Sequence, residues 1–399
     1  METVFVARQP VLDKDLGLYG YELLFRSGLG NAASMTDGDS AISEIIMNTF
    51  SDVTLDDLVG DSPVLINLSR RYLLKSDPLS LPSHRTIIQI LDDIQLDEAA
   101  LESVRELKSL GYAIGVDDFQ YSRASDSLLD MIDVVKLEMP TLLSSEGAYL
   151  IERLRRFNVS VIAGNIEDYS QFERCRAIGC DYFQGYFLGR PDSRINSDIP
   201  SDSKDSLTLL GAVQAPSTDL KALETIISRD PSLSEKLLRY INSAMYHHAF
   251  EIRDLHQAIM MLGINELRRW ISIAVLCDAP DKPDELVTLL LIRARMAELL
   301  SLEMAPQQSD ACFMAGLFSG LDAVFSAPME TVVDQLTLPR DIQDALLYRT
   351  GPVGQVLLAV LAYEEGDPSG LHLPLLTAEQ VRQHYIDAIH WHQQQRHLF

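Results

Sequence analysis

Residues 96–119 read LDEAALESVRELKSLGYAIGVDDF. The first part places apolar residues at helical spacing and stops at Gly111, a residue that tolerates the left-handed backbone on which helices end. The second part is a short β-branched run that finishes on Asp117 and Asp118. The pattern recurs on both sides. TVFVAR, PVLINLS, TIIQIL, AIGVDDF, VVKLE, VSVIAG and DYFQGYF read as strands. Between them DSAISEIIMNTF, LDEAALESVRELKSLG, EGAYLIERLRRFN and DYSQFERCRAIG read as amphipathic helices, with Gly179 as a second helix stop. Strand followed by helix, repeated, predicts a parallel sheet, closed or open, over residues 1–192.

Polar residues recur where these strands end: Asn67 after VLI, Asp117 and Asp118 after AIGV, Lys136 after VV, and Gln184 after DYF. In a (β/α) barrel this is the end on which the site is built. Any one of them also serves as a helix cap or as a partner for loop backbone. Five in succession point to a site.

The stretch PDSRINSDIPSDSKDS at 191–206 is rich in Pro, Ser and Asp and has no apolar periodicity, so 193–206 is expected as a linker between domains at 1–192 and 207–399. Beyond it only helical patterns occur: STDLKALETIIS, PSLSEKLLRYINSAM, LHQAIMML, INELRRWISIAVLC, DELVTLLLIRARMAELLS, SDACFMAGLFSGLDAVF, RDIQDALLY, VGQVLLAVLAYEEG and AEQVRQHYIDAIHWHQQQ. Ser217, Asp230 and Ser309 are the expected caps.

Composition narrows the function classes. A chain of 399 residues suits two domains. No unbroken apolar run approaches the ~20 residues that span a bilayer, and METVFVARQP lacks the form of a signal peptide; a cytoplasmic location is expected. Acidic residues outnumber basic ones 58 to 33, for a net charge of −25, which opposes attraction to nucleic acid or an anionic membrane. Cys175, Cys180, Cys277 and Cys312 form no C-x-x-C or zinc-ribbon pattern and read as reduced structural thiols.

The order of motifs resembles the EAL family of cyclic-di-GMP phosphodiesterases over residues 1–190. RQPVLD and GYELLFRS look like the family's opening, with Glu22 at the namesake glutamate, Leu23 and Leu24 after it, and Arg26 at the basic position. Asn67 in INLS, Asp117 and Asp118 in VDDF, Lys136 in VKLE and Gln184 in FQGYFLGRP follow in order. The GYELLFR version is typical of the subgroup that joins an EAL domain to an HDOD domain. The resemblance implies a TIM-like barrel in which strand-end carboxylates hold two divalent cations, Mg2+ or Mn2+, that activate a water against a phosphodiester. The chain departs from that pattern at Gln89, where the family's E-x-T-E aligns with Gln89-Ile90-Leu91-Asp92, and at Gly164, where A-E-G-V-E aligns with Ala163-Gly164-Asn165-Ile166-Glu167. Two expected metal-ligand glutamates are therefore an amide and a glycine. Asp92 and Glu167 are poorly placed to replace them, and FQYSRASDS after Asp118 lacks the glycines of the family's dimerisation loop. Gln9, Arg26 and Gln184 remain for nucleotide binding.

Residues 205–390 resemble HDOD through DPSLSEKLLRYINSAMY, IRDLHQAIMMLGINELRRWISI and ACFMAGLFSGLDAVF. HD phosphohydrolases need a His-Asp pair with further histidines for metal. Where they read GLLHD this chain has Gly316-Leu317-Phe318-Ser319-Gly320, and none of its nine histidines precedes an aspartate. His247, His248, His390 and His392 read as surface or packing residues.

These departures lead to the expectation of a bacterial signal-transduction protein with a degenerate EAL barrel, no enzymatic activity and no cofactor. It would act by binding protein partners, a second copy included, with weak or absent cyclic-di-GMP binding and no contact with nucleic acid or membrane. The alternatives are a metal-dependent cyclic-di-GMP phosphodiesterase, or a cyclic-di-GMP receptor without hydrolysis.

Overall fold

A computed structural model describes residues 4–27, 54–74, 81–91, 97–119, 121, 126–189, 201–243, 246, 251–279, 282–366, 376–395 and 398. The expected helix at 39–50, Asp92, His247 and His248 lie outside the described residues. By compactness the chain divides into two units, Met1–Ser193 with Leu361–Ile386, and Arg194–Val360 with Asp387–Phe399.

The first unit holds a closed eight-stranded barrel: β1 (Val4–Asp13), β2 (Leu18–Ser27), β3 (Val64–Leu68), β4 (Thr86–Leu91), β5 (Ala113–Asp117), β6 (Val134–Glu138), β7 (Ser160–Ile166) and β8 (Tyr182–Gly185). The sequence shows seven strands and predicts a parallel sheet. The strand count is corrected to eight, and the parallel sheet holds for seven of them. GYELLFR is itself strand β2, and β1 runs antiparallel to both β2 and β8, while β2 to β8 pair in parallel. The reversal comes from a tight turn. The Asp13 carboxylate accepts from the backbone N–H groups of Asp15 and Gly17, each at 2.8 Å, and Leu16 takes a left-handed backbone at φ 65°.

Residues two apart on a strand face the same way, and this arithmetic sets the height of the site. Val11, Leu65, Ile87, Val134 and Ile162 meet as a buried cluster, with Tyr19, Ala113 and Tyr182 packed against it. Tyr19 and Tyr182 stack at 3.9 Å between ring centroids. One interior step along the strands come Gln9, Asn67, Gln89, Gly115, Lys136, Gly164 and Gln184. The polar layer thus stands directly on an apolar plug, at the strand ends from which barrels present their chemistry. Helices Glu98–Ser109 and Tyr169–Ile178 return the chain between strands; Asp97 and Asp168 cap them, and Gly179, at φ 101°, ends the second.

The second unit is helical. Helix Ser201–Gln214 begins inside the stretch expected as a linker, and Met329–Gln335 adds a helix the pattern did not show. LHQAIMML and INELRRWISIAVLC merge into Leu255–Cys277 across a break at Gly263, φ 75°. The caps are Asp219 and Gln308 rather than Ser217 and Ser309, with Asp230 as expected. Gly316 lets two helices touch: an added Cβ would lie 2.7 Å from the Ala294 Cα and the Arg293 carbonyl. Among the described residues no single helix is long and apolar enough to cross a membrane.

Candidate active site

Glu22 is the centre of the polar layer and is 1% exposed. Three strands aim donors at its carboxylate. Asn67 Nδ2 lies 2.8 Å from Oε1; Lys136 Nζ, at 3.0 Å, and Gln184 Nε2, at 2.5 Å, reach Oε2. Gln184 Nε2 also donates to Gln9 Oε1 at 3.0 Å. Lys136 Nζ bridges onward to Asp117 at 3.1 Å. One ammonium therefore joins two carboxylates. Burial works against the charge on Lys136, but Glu22 and Asp117 outweigh it and its pKa rises above the ordinary lysine value. Burial pushes the Asp117 carboxyl up, and Lys136 only partly pulls it back.

A carboxylate can only accept hydrogen bonds, so the amide nitrogens of Asn67 and Gln184 must face Glu22 and their oxygens must face elsewhere. Asn67 Oδ1 and Gln184 Oε1 are buried without a hydrogen-bond partner among the described residues, as are both amide atoms of Gln89. Asn67 and Gln89 are register partners on β3 and β4. Buried acceptors left open cost about 1–3 kcal/mol each unless something fills them. The open oxygens beside Glu22 and Asp117 form the all-oxygen donor set a hard divalent cation prefers. No group of three or more His, Cys, Asp or Glu suited to a metal occurs among the described residues, so such a site depends on its amides.

The glycines make room for the long side chains of this layer. A Cβ on Gly115 would lie 3.4 Å from Gln89 Cγ, and one on Gly164 would lie 3.2 Å from Lys136 Cε. The stem of Lys136 thus covers the place where the family pattern puts a glutamate. The register partner of Gly164 is Glu138, one interior step beyond Lys136, and it accepts from Asn165 Nδ2 at 2.5 Å. The motif reading passed over Glu138, although the two-residue alternation from Lys136 would have found it. Asp118 is exposed, in left-handed backbone at φ 48°. Arg26 lies on β2, and its side chain is outside the described residues. Glu167 is exposed, just before the Asp168 cap. The structure brings together Gln9, Glu22, Asn67, Asp117, Lys136 and Gln184, and adds Gln89 to them.

Comparison with known proteins matches residues 62–191 to the EAL domain and 199–331 to the HDOD domain. The cyclic di-GMP phosphodiesterase CdgJ of Vibrio cholerae is 32% identical over 98% of this chain and 93% of its own length. The chain belongs to the EAL–HDOD family. A second relative of this EAL–HDOD protein, the uncharacterized protein YuxH of Bacillus subtilis, is 28% identical over 97% of this chain and 98% of its own. The PaMucR phosphodiesterase, solved as a c-di-GMP complex, shares 22% identity over 48% of this chain and 97% of that one, with a TM-score of 0.40.

The expectation of a non-catalytic protein is corrected by the match to CdgJ, which spans both regions and is named as an enzyme. The physical reason the departures misled is visible in the layer itself. Glu to Gln at 89 removes a charge but keeps an oxygen donor, and that oxygen is buried and open. Gly164 leaves no void, because Lys136 lies across it.

Proposed function

We propose that this EAL–HDOD protein hydrolyses cyclic di-GMP in a reaction that needs a divalent cation. The near full-length match to CdgJ carries the reading, and the open oxygens around Glu22 support it. Glu22, Asn67, Gln89 and Asp117 are the residues that would hold Mg2+ or Mn2+. A cation there would polarise a phosphodiester oxygen and favour ionisation of a water. Lys136 stays an ammonium, offsets the charge of Glu22 and Asp117, and has a third N–H to offer a phosphoryl oxygen. Gln9 and Gln184 orient Glu22. Asp117 must be ionised to hold a cation, so turnover rises with pH as its raised pKa is passed. For the helical unit we propose binding of protein partners, supported by exposed Met260, Met261 and Tyr348.

The test is incubation of purified full-length protein with cyclic di-GMP in Mg2+, Mn2+, Ca2+ or EDTA, followed by chromatography. Linear dinucleotide at ~1 per second or faster with Mg2+ or Mn2+, and none in EDTA, is expected. Cyclic di-GMP recovered intact under every condition would refute the reading.

A further inference from the structure

Beyond the three residues that close the barrel, one edge of β1 has no strand beside it among the described residues. Its pairing with β8 covers only Val11, Leu12 and Asp13, whereas its pairing with β2 runs from Val4 to Leu12. In an antiparallel strand, residues two apart present their backbone groups to the same side. Val6, Arg8 and Pro10 form such a set. Pro10 has no N–H to satisfy. The other two are met by tyrosines from the C-terminal part of the same unit. Tyr363 Oη donates to the Val6 carbonyl at 2.9 Å, and Tyr385 Oη accepts from the Arg8 N–H at 3.4 Å. Both tyrosines are buried, 2% and 3% exposed, with their rings 4.8 Å apart. Burial holds the Tyr363 hydroxyl protonated far above the ordinary range, so it remains a donor at every working pH.

The residue after Arg8 is Gln9, the register partner of Glu22 and an acceptor for Gln184 Nε2. Gln184 Nε2 is also the donor at 2.5 Å to Glu22. We propose that Tyr363 and Tyr385 are positioning residues of the barrel site: by standing in for a missing strand along Val6–Arg8, they hold β1 so that Gln9 and Gln184 fix the Glu22 carboxylate. The proposal deepens the phosphodiesterase reading and rests on it for its kinetic arm. It makes Tyr363 and Tyr385 part of the working barrel, although the EAL match ends at residue 191.

The test uses full-length Tyr363→Phe, Tyr385→Phe and a matched control, Tyr112→Phe. Tyr112 is another buried tyrosine whose hydroxyl donates to a backbone carbonyl, that of Leu81 at 2.8 Å, but it lies just before β5, at the opposite end of the strands from the site. Hydrogen exchange is read over residues 4–13 and 18–27, and kcat and KM for cyclic di-GMP are measured separately. Tyr363→Phe and Tyr385→Phe should each speed exchange in both segments by on the order of tenfold and lower kcat by about tenfold with KM nearly unchanged. Tyr112→Phe should do neither. Exchange over 18–27 that matches the Tyr112→Phe control in both variants, or a kcat retained within about twofold, overturns the proposal. A wild-type protein without turnover would refute the phosphodiesterase reading instead, and the exchange comparison would still decide this one.

Discussion

Each unit holds a charged cluster, and the two are finished differently. In the helical unit Arg269 pairs with Glu298 at 2.6 Å and with Asp310, while Arg295 reaches Glu298 at 2.5 Å and Asn265 reaches Asp310 at 2.7 Å. Tyr240 and Tyr246 both donate to Glu266 Oε1, at 2.7 and 3.1 Å. Every carboxylate there faces donors of its own unit. Within that cluster the atom left over is the Nε donor of Arg295, a group otherwise engaged through its terminal nitrogen. In the barrel one ammonium serves two carboxylates, and the atoms left over are three amide oxygens, on Asn67, Gln89 and Gln184, together with the Gln89 Nε2 donor. A network closed on itself stabilises a fold. A network with acceptors left open beside net negative charge is suited to bind a cation.

The sharpest way to break this contrast is to neutralise one carboxylate in each cluster. Glu22→Gln should lower cyclic di-GMP hydrolysis on the order of 10³-fold, because it strips the charge from a proposed cation ligand and turns one of the two oxygens that receive three donors into an N–H group. Glu298→Gln should leave hydrolysis within about twofold while costing about 3 kcal/mol of stability, since Arg269 and Arg295 lose their shared partner in a largely buried place. Denaturant titration and a hydrolysis assay on both variants suffice. If Glu298→Gln lost turnover as fully as Glu22→Gln, the division into a working and a structural cluster would be wrong.

The next largest effect tests the open amide oxygens. Gln89→Glu should tighten Mn2+ binding about tenfold, because ligand charge is the main control on hard-cation affinity. In EDTA the same variant should be less stable by about 2 kcal/mol, as a third buried carboxylate without a counter-charge repels Glu22 and Asp117. Calorimetry with Mn2+ and unfolding in EDTA read the two halves. Unchanged affinity would mean that residue 89 does not face the cation.

Much of this was legible in the sequence, and the failures have physical causes. The repeat at 96–119 placed β5 and the helix before it because both periods are strong there. Strand β2 was missed because its exterior carries Tyr21, Leu23 and Phe25, while its interior carries Gly20, Glu22 and Leu24, so the two faces do not alternate cleanly. The residues of the polar layer were legible because strand ends in a barrel collect polar groups. Their competence was misjudged because a motif records charge at a position but not space. Only the folded structure places the Lys136 stem over Gly164 and leaves Gln89 Oε1 open. The contribution of Tyr363 and Tyr385 was invisible, since nothing local to those residues marks a partner over 350 positions away.

The smallest effect concerns Asp322, the carboxyl of the helical unit that does not fit its closed network. Burial pushes its pKa from the ordinary 3.8 up to about 6, against the pull of the Ala323 N–H at 2.9 Å and of the Arg293 and Arg349 charges. A carboxyl whose pKa is raised by folding binds its proton more tightly in the native state. Its contribution to stability is therefore complete below pH 3.8 and is lost as pH rises through about 6. Asp322→Asn keeps an oxygen for the Ala323 N–H and cannot ionise. The variant should match wild type in stability near pH 4 and exceed it at pH 7.5 by about 1 kcal/mol, a figure reduced from the full two-unit shift because the side chain is partly exposed. Paired urea titrations at the two pH values measure the difference directly. An advantage of the same size at both would mean that burial of Asp322 carries no charge penalty, and the helical cluster would then be closed at that position as well.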